Sequence, residues 1–352
     1  MDFQEFLSGR VFDAYEYFGA HMGKDGVTFR IYAPNAGKVE LQGDFNGWEL
    51  KELEKGAHPG VYTGTFAGAT PGMYYKYCIT DRQGKGTMHC DPYGMRMELR
   101  PGFASRIVDR SYPFQDQSWM KKRDKNYNRP MNIYELHAGS WRKKEDNSWY
   151  NYEELGEQLI PYLKRMGFNF VEFLPLSEHP ADCSWGYQNT GFFAPTSRYG
   201  SPRQLKALVD RLHQNGIGVI MDFVPVHFAT DDYGLQNFDG TPLYEFPHPD
   251  TAYSEWGTMN FMHSRGEVRS FLQSAADYWL SEFHMDGIRM DAISRAIYWS
   301  GDPARGVNEK AVDFLRNMNA GLHKRHPSAM LIAEDSTDFP KVTAPTEYDG
   351  LG

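Results

Sequence analysis

Two stretches near the C-terminal end decide the fold: FHMDGIRMDA at residues 283–292 and MLIAED at residues 330–335. Each is an apolar run that leads into an acidic residue, Asp291 in the first stretch and Glu334 in the second. The strands of a parallel barrel place acidic side chains at the mouth of a pocket in this way, because the site lies at their carboxyl ends. Two carboxylates that face each other across a cleft can break a glycosidic bond, one as nucleophile and one as general acid and base.

Strands and helices alternate from residue 131 onward. Besides the two strands quoted above, the pattern predicts strands at residues 132–137, 168–174 and 218–224. The predicted helices begin at a capping box of Asn151 and Glu154, at Ser201-Pro202, near Glu267 and near Asn308. The first of them should bury Leu155, Leu159, Leu163 and Met166. We therefore expect residues 131–352 to be a TIM-type (β/α)8 barrel that is truncated after about five β/α units.

The N-terminal third has a different pattern. Short segments in which apolar and polar residues alternate are separated by Gly, Pro and Asn. The predicted strands are residues 27–32, 38–45, 61–66 and 74–79. Their spacing predicts a small β-sandwich over residues 1–111, and so a multidomain chain. Residues 112–130, which contain the mixed-charge run from Lys121 to Lys125, are expected to be a solvated linker.

Composition narrows the class of protein. Of the 352 residues, 15% are aromatic, which indicates either large cores or surfaces on which sugar rings stack, with neither favoured. A net charge of −9 without a basic patch argues against a nucleic-acid partner. The three scattered cysteines match no disulfide or zinc pattern. With no signal peptide and no apolar stretch of membrane-spanning length, we expect a reduced, cytoplasmic protein without a membrane partner.

The strand at residues 218–224 and the residues after it supply Asp222 and His227. Asp222 is either a turn former or the anchor of a pocket floor. His227 is either a loop histidine with its hydrogen bonds satisfied or a donor to a substrate hydroxyl. Both alternatives remain open for each residue.

Arg289 and Asp291 are two residues apart and therefore lie on the same side of their strand. They form either a structural ion pair or a functional one, in which Arg289 lowers the pKa of Asp291 and keeps it ionised for attack on an anomeric carbon. Asp286, at the entry of the same strand, is expected to be a surface or pairing residue.

The last strand supplies Glu334 and Asp335, which are either solvated acids or functional groups. In the functional interpretation Glu334 protonates the leaving oxygen and then acts as the base for the acceptor, with Asp335 behind it. The loop at residues 185–195 is dense in aromatic and turn residues, and its Tyr187 is a candidate platform under a sugar ring.

Taken together, these motifs resemble the α-amylase superfamily and, within it, the glycogen branching enzymes. The superfamily motifs are DFVPVH at 222–227, GIRMDA at 287–292 and AEDS at 333–336. The branching-enzyme features are WGYQ at 185–188, APTSRYG at 194–200, RMDAIS at 289–294, GVNE at 306–309 and EDST at 334–337. FRIYAPN at 29–35 and GDFNGW at 43–48 resemble the immunoglobulin-like glycan-binding module that precedes such barrels.

The resemblance implies a retaining transferase that cleaves an α-1,4 bond of an α-glucan and re-forms it as an α-1,6 branch. Asp291 would be the nucleophile and Glu334 the general acid/base. Arg289 and His227 would bind around the first subsite. Asp222 would support that subsite, and Tyr187 would stack on the sugar bound there. The chemistry needs no metal or other cofactor.

One superfamily motif, a later His-Asp pair, has no counterpart before Gly352. We therefore expect the chain to be the N-terminal portion of a longer enzyme, inactive as this fragment. Two alternatives are an isoamylase- or trehalohydrolase-like α-glucan hydrolase, which shares these motifs, and a non-catalytic fragment that binds glucan through its β-module.

Overall fold

The N-terminal region is built from two antiparallel sheets. The computed structural model describes all 352 residues, and in it one sheet has the strand order β1-β2-β6-β5 and the other β4-β3-β7-β8, with β9 paired to β7. Alternate residues of β2 point inward, because only one face of each sheet is covered. The strands are β1 (Gly19–Gly23), β2 (Gly26–Tyr32), β3 (Lys38–Gly43), β4 (Lys51–Glu52), β5 (Glu54–Lys55), β6 (Val61–Phe66), β7 (Tyr74–Thr80), β8 (Gly86–His89) and β9 (Ser105–Arg106).

The second region contains a five-stranded parallel sheet of order β10-β11-β14-β17-β18. Its central strand β14 is buried along its whole length, as expected for a parallel sheet covered on both faces. Two short antiparallel pairs, β12-β13 and β15-β16, lie in the loops after β11 and β14. The strands are β10 (Ile133–Leu136), β11 (Phe170–Phe173), β12 (Ser177–Glu178), β13 (Gly191–Pro195), β14 (Gly218–Phe223), β15 (His227–Phe228), β16 (Met259–Asn260), β17 (Gly287–Met290) and β18 (Met330–Ala333).

The four predicted helices, α4, α5, α7 and α9, begin where the sequence indicates, whereas the five shorter helices were not predicted. Asn151 and Glu154 form a reciprocal capping box at the start of α4, and Ser201 and Gln204 form another at the start of α5. Met166, expected on the buried face of α4, is instead 52% exposed in its last turn. No helix is both long and apolar enough to cross a membrane. The helices are α1 (Phe3–Leu7), α2 (Gln117–Lys122), α3 (Ala138–Trp141), α4 (Tyr152–Met166), α5 (Pro202–Gln214), α6 (Pro249–Ala252), α7 (Gly266–Glu282), α8 (Ile293–Ile297) and α9 (Glu309–Arg325).

Helix α7 joins the two regions. Its Ser270 hydroxyl donates to the carbonyl oxygen of Phe6 at 2.8 Å, and Asp277 accepts from the Tyr15 hydroxyl at 3.0 Å. The largest fully buried side chains of the chain are all aromatic, which supports the large-core explanation of the aromatic content. One continuous apolar core runs from the N-terminal sheets into the parallel sheet.

The segment at residues 112–130 packs against the amino ends of the parallel strands. Asp116 is buried and bonds to His213 Nδ1 at 2.8 Å, and Trp119 Nε1 donates to Asp286 Oδ1 at 2.8 Å. Asp286 is therefore a buried pairing residue, because it also accepts from the backbone N–H of Val219 at 2.7 Å. The expectation of a solvated linker holds for Lys121 and Lys122, which are exposed, and is wrong for the residues that anchor the segment.

Candidate active site

Three acidic residues meet at the carboxyl edge of the parallel sheet. Asp222 is the penultimate residue of β14, Asp291 directly follows β17 and Glu334 directly follows β18. The backbone pairing continues beyond the strands, since Asp291 N–H donates to Phe223 O at 2.9 Å and Glu334 N–H to Met290 O at 3.0 Å. The register of the sheet thus places the three acids side by side.

The Arg289 side chain connects two of these acids. Its Nη1 atom donates to both oxygens of Asp222, at 2.9 and 2.8 Å, and to Oδ1 of Asp291 at 2.7 Å. The carboxylates of Asp222 and Asp291 favour the charged guanidinium, so the pKa of Arg289 is raised despite its partial burial. The guanidinium of Arg289 therefore forms an ion pair with each of the two carboxylates.

The direction of the pKa shift of Asp291 differs from the expectation. Burial raises the pKa of Asp291, and the charge of Glu334 adds to the rise. Arg289 acts in the predicted direction and lowers it, but burial prevails, so the pKa lies above the usual aspartate value. The sequence pattern indicated the effect of Arg289 but not the burial of the Asp291 carboxylate, because burial depends on how the surrounding loops pack.

Tyr187 contacts the same cluster through its hydroxyl, which donates to Oδ2 of Asp222 at 2.6 Å. Burial is the main reason why the pKa of Tyr187 is raised, and the Asp222 carboxylate raises it further. The carboxyl group of Asp222 is almost fully buried, and burial raises its pKa to about 7 against the opposing effects of Arg289 and Tyr187. The buried Asp222 carboxyl group thus holds both the Arg289 and the Tyr187 side chain by hydrogen bonds.

Glu334 is tied to the backbone that follows Asp291. Its Oε2 atom accepts from the N–H of Ala292 at 2.8 Å. Ala292 has a left-handed backbone with φ of +51°, which turns this N–H toward β18. Asp335, by contrast, accepts from the N–H and the hydroxyl of Thr337 and so closes its own turn. Of the two acids at the end of β18, Glu334 is the one that bonds to the backbone next to Asp291.

His227 begins β15 and is 3% exposed. Burial lowers the pKa of His227 to about 4, so the imidazole is neutral at pH 7. Its Nδ1 atom is buried without a hydrogen-bond partner, and its ring centroid lies 5.1 Å from that of Trp256. A neutral imidazole with a free nitrogen can exchange a hydrogen bond with a bound hydroxyl.

A cavity of about 290 Å³ brings several of these residues together. It is lined by Ser184, Tyr187, Gln188, His227, Trp256 and Asp291. Sequence reasoning identified Tyr187, His227 and Asp291 and missed the other three. Trp256 could have been noticed as an isolated tryptophan in a polar stretch and Gln188 as the last residue of the WGYQ motif, whereas nothing in the sequence distinguishes Ser184. No group of three or more His, Cys, Asp or Glu side chains is arranged to hold a metal ion.

Two family models match separate parts of the chain. The family model described as carbohydrate-binding module 48 (isoamylase N-terminal domain) matches residues 17–94. The model described as alpha amylase, catalytic domain, matches residues 155–241, which include Tyr187, Asp222 and His227. The chain therefore contains a carbohydrate-binding domain followed by part of an α-amylase catalytic domain.

Curated relatives narrow the comparison. The chain is 45% identical over 99% of its length to the 1,4-alpha-glucan branching enzyme GlgB of Geobacillus stearothermophilus. The GlgB of Bacillus subtilis (strain 168) is 44% identical, again over 99% of the chain. The chain spans 56% and 57% of the lengths of these two branching enzymes.

A solved structure shares the fold at lower identity. The pullulanase from Paenibacillus barengoltzii, solved in complex with maltohexaose and alpha-cyclodextrin, aligns with a TM-score of 0.73 and 20% identity. The alignment covers 96% of this chain and 55% of the pullulanase chain. At this identity the likeness concerns the fold alone.

Proposed function

We propose that this chain supplies much of the active site of a 1,4-α-glucan branching transferase, which cleaves an α-1,4 bond and re-forms it as an α-1,6 branch. The observation that carries the proposal is the contact of Arg289 with both Asp222 and Asp291, beside Glu334 on the neighbouring strand. The similarity to branching enzymes over 99% of the chain supports the same activity.

In the first step the Asp291 carboxylate attacks the anomeric carbon of a glucose unit. Glu334 gives its proton to the glycosidic oxygen as the bond to that oxygen breaks, and the glucan stays on Asp291 as an ester. Asp291 and Glu334 follow neighbouring strands, which supports a retaining mechanism, since retaining enzymes hold their two carboxyl groups about 5–5.5 Å apart, closer than inverting enzymes do.

In the second step Glu334, now a carboxylate, takes a proton from the 6-hydroxyl of another glucan chain. The hydroxyl oxygen attacks the anomeric carbon and displaces Asp291, which regenerates both carboxyl groups in their starting states. Tyr187 stacks under the sugar, and the neutral His227 shares a hydrogen bond with one of its hydroxyls. Asp222 keeps Arg289 against Asp291 and contributes no proton. None of these steps uses a metal or another cofactor.

The same proposal extends to the architecture. Residues 1–111 are an immunoglobulin-like β-sandwich that binds glycan, and residues 131–352 are the first five units of a (β/α)8 barrel. Residues 112–130 connect these two domains. The partner is an α-glucan such as glycogen or amylose, with neither nucleic acid nor membrane as a partner, and the location is cytoplasmic. The continuous parallel order of β10, β11, β14, β17 and β18 supports the barrel assignment.

The test is a chimera of this chain with the C-terminal part of the Geobacillus stearothermophilus branching enzyme, assayed on amylose beside the unfused chain. We expect the chimera to form debranchable α-1,6 links without a matching rise in reducing ends. An increase in reducing ends without branches would assign hydrolysis instead. A well-folded chimera without either activity would refute the proposal, and activity of the unfused chain would refute its expected inactivity.

A further inference from the structure

One face of the parallel sheet is uncovered at β10. Ile133 and Glu135 of this strand are exposed, whereas Tyr134 and Leu136, which point to the other face, are half-buried and buried. A parallel sheet is ordinarily covered on both faces by other parts of the protein. The outer edge of β10 also pairs with no other strand of the structure. This end of the sheet therefore offers a surface on which a further part of a protein can pack.

The uncovered face carries two adjacent acids. Glu135 of β10 is the register partner of Glu172 in β11, so the two side chains leave the sheet on the same side. Neighbouring strands are about 4.8 Å apart, which makes the two carboxylates close neighbours. Glu172 is in turn the register partner of Ile220 in β14, two residues before Asp222. The acid pair therefore lies on the face that carries the candidate site, nearer the amino ends of the strands.

The two acids have no cation bonded to them. None of the ion pairs of the chain includes Glu135 or Glu172. Burial raises the pKa of Glu172, and the charge of Glu135 raises it further. Arg289 lowers this pKa by a smaller amount, because its Nη1 atom is bonded to Asp222 and Asp291 instead. The pair is thus a local surplus of negative charge.

Whatever covers this face has to supply a positive charge. Two ionised carboxylates that are removed from water repel each other, and a buried charge is retained only when it is paired. A lysine or an arginine can satisfy both acids, because each of these side chains donates several hydrogen bonds. The rest of the face is apolar, with Ile133 beside Phe170 and a cluster of Phe170, Ile220 and Met330. The surface therefore fits an apolar segment that carries one basic side chain.

We propose that the uncovered face of β10 and β11 receives the C-terminal part of a branching enzyme, and that a lysine or arginine of that part pairs with Glu135 and Glu172. The curated relatives contain such a part, because the chain spans 56% of the Geobacillus stearothermophilus enzyme. The inference rests on the proposed function for the identity of this partner. It gives two acids that take no part in the proposed reaction the task of fixing how the partner docks.

The test compares Glu172→Gln in the 352-residue chain with the same variant in the chimera that carries the Geobacillus stearothermophilus C-terminal part. In the chain the raised pKa means that Glu172 lowers stability as the pH rises through that pKa. Glu172→Gln should therefore raise the midpoint of thermal unfolding at pH 7 by about 1–2 °C, and by less at pH 4. In the chimera the sign should reverse, with a fall of about 3 °C or more at pH 7, because loss of one partner of a buried ion pair is strongly destabilising.

Three further variants locate the effect. Glu135→Gln, on the edge strand, should show the same reversal between chain and chimera. Glu172→Lys places a cation beside Glu135 and should stabilise the chain, whereas in the chimera it opposes the basic side chain and should lower the midpoint more than Glu172→Gln does. Glu157→Gln is the matched control, since Glu157 is exposed on α4, and it should leave both midpoints unchanged.

The outcomes separate this inference from the proposed function. If Glu172→Gln raises the midpoint of the chimera as it does that of the chain, no cation reaches the pair, and the inference fails even where the chimera branches amylose. An unchanged midpoint in the chimera would mean that the two acids share a proton and would overturn the inference as well. If the sign reverses but the chimera forms no branches, the docking surface stands and the transferase assignment fails.

Discussion

Arg100 of the N-terminal region forms an ion pair with Asp182, in the loop that carries Tyr187, with Arg100 Nε 2.7 Å from Asp182 Oδ1. The same carboxylate oxygen accepts from Nε of the buried Arg198 at 2.8 Å. The hydrogen bond from Arg100 is the largest cause of the lowered pKa of Asp182, which is about 2, and Arg198 acts in the same direction. The N-terminal region therefore helps to hold a loop of the candidate site.

Replacement of Arg100 by alanine should affect substrate binding more than stability. The pair is partly exposed, so the free energy of unfolding should fall by no more than about 1 kcal/mol. In the chimera we expect KM for amylose to rise about two- to fivefold with little change in kcat, because the loop is held less firmly before substrate binds.

Arg129→Ala is the matched control, since Arg129 pairs with Asp124 on an exposed surface outside the site. It should leave both kinetic constants unchanged. Arg100→Lys should restore part of the binding. Equal kinetics of Arg100→Ala and Arg129→Ala would show that the ion pair does not position the loop.

Asp291→Asn should abolish transfer in the chimera by roughly three orders of magnitude or more, as removal of a nucleophile does. The amide retains the shape of the side chain and its contact with Arg289, so the unfolding midpoint in urea should change little. Branching that survives in this variant would refute the assignment of Asp291. Glu334→Gln is the companion variant, and azide, which needs no general base, should restore its second step as a glucosyl azide.

Tyr187→Phe removes the hydroxyl that donates to Asp222 and leaves a buried carboxyl oxygen with one partner fewer. Because Arg289 still donates to the same oxygen at 2.8 Å, we expect a loss of only about 0.5–1.5 kcal/mol in the free energy of unfolding, the usual net contribution of one hydrogen bond. Urea titration measures it, with Tyr127→Phe, at an exposed tyrosine, as the control. If both variants unfold alike, the Tyr187–Asp222 hydrogen bond contributes nothing to stability.

The pH dependence of stability should include a contribution from His213. Its Nδ1 and Nε2 atoms lie 2.8 Å from Asp116 and 2.9 Å from Asp286. Burial alone would lower the pKa of His213, but the two acids together prevail and raise it. The stabilisation is therefore complete below the unfolded-state pKa of about 6.5 and is lost as the pH rises through the higher folded-state value.

NMR titration of His213 in the folded chain should give a pKa above 6.5, the ordinary histidine value, whereas His227 should become protonated only near its pKa of about 4. Asp116→Asn should move the His213 midpoint downward and flatten the alkaline fall in the free energy of unfolding. A midpoint for His213 below that of a free imidazole would contradict the assignment.

Much of the architecture follows from local signals. The capping boxes at Asn151 and Ser201 can be predicted from the sequence, and so can the uninterrupted apolar run of β14. Each of these features depends only on residues that are neighbours in sequence. The two-residue spacing of Arg289 and Asp291 predicted their contact for the same reason.

What sequence reasoning missed depends on distant partners. The pKa of Asp291 depends on burial by surrounding loops, and Trp256 reaches the site only because β15 and β16 pair. Asp116 lies in a segment whose composition indicates a solvated linker, yet His213, 97 residues away, makes it a buried anchor. Such contacts have no periodicity and no short motif.

The contacts of α7 with the first residues of the chain bear on how the protein can be divided. Ser270, Ser274 and Asp277 are fully buried, and their polar groups bond to Phe6, Ala14 and Tyr15. Removal of the N-terminal region, which includes these residues before β1, would take the partners away and expose the apolar surface around them, at a cost of about 1–3 kcal/mol for each polar group left unsatisfied. The two regions therefore stabilise each other, and the parallel-sheet region separated from the N-terminal region should unfold more readily than the whole chain.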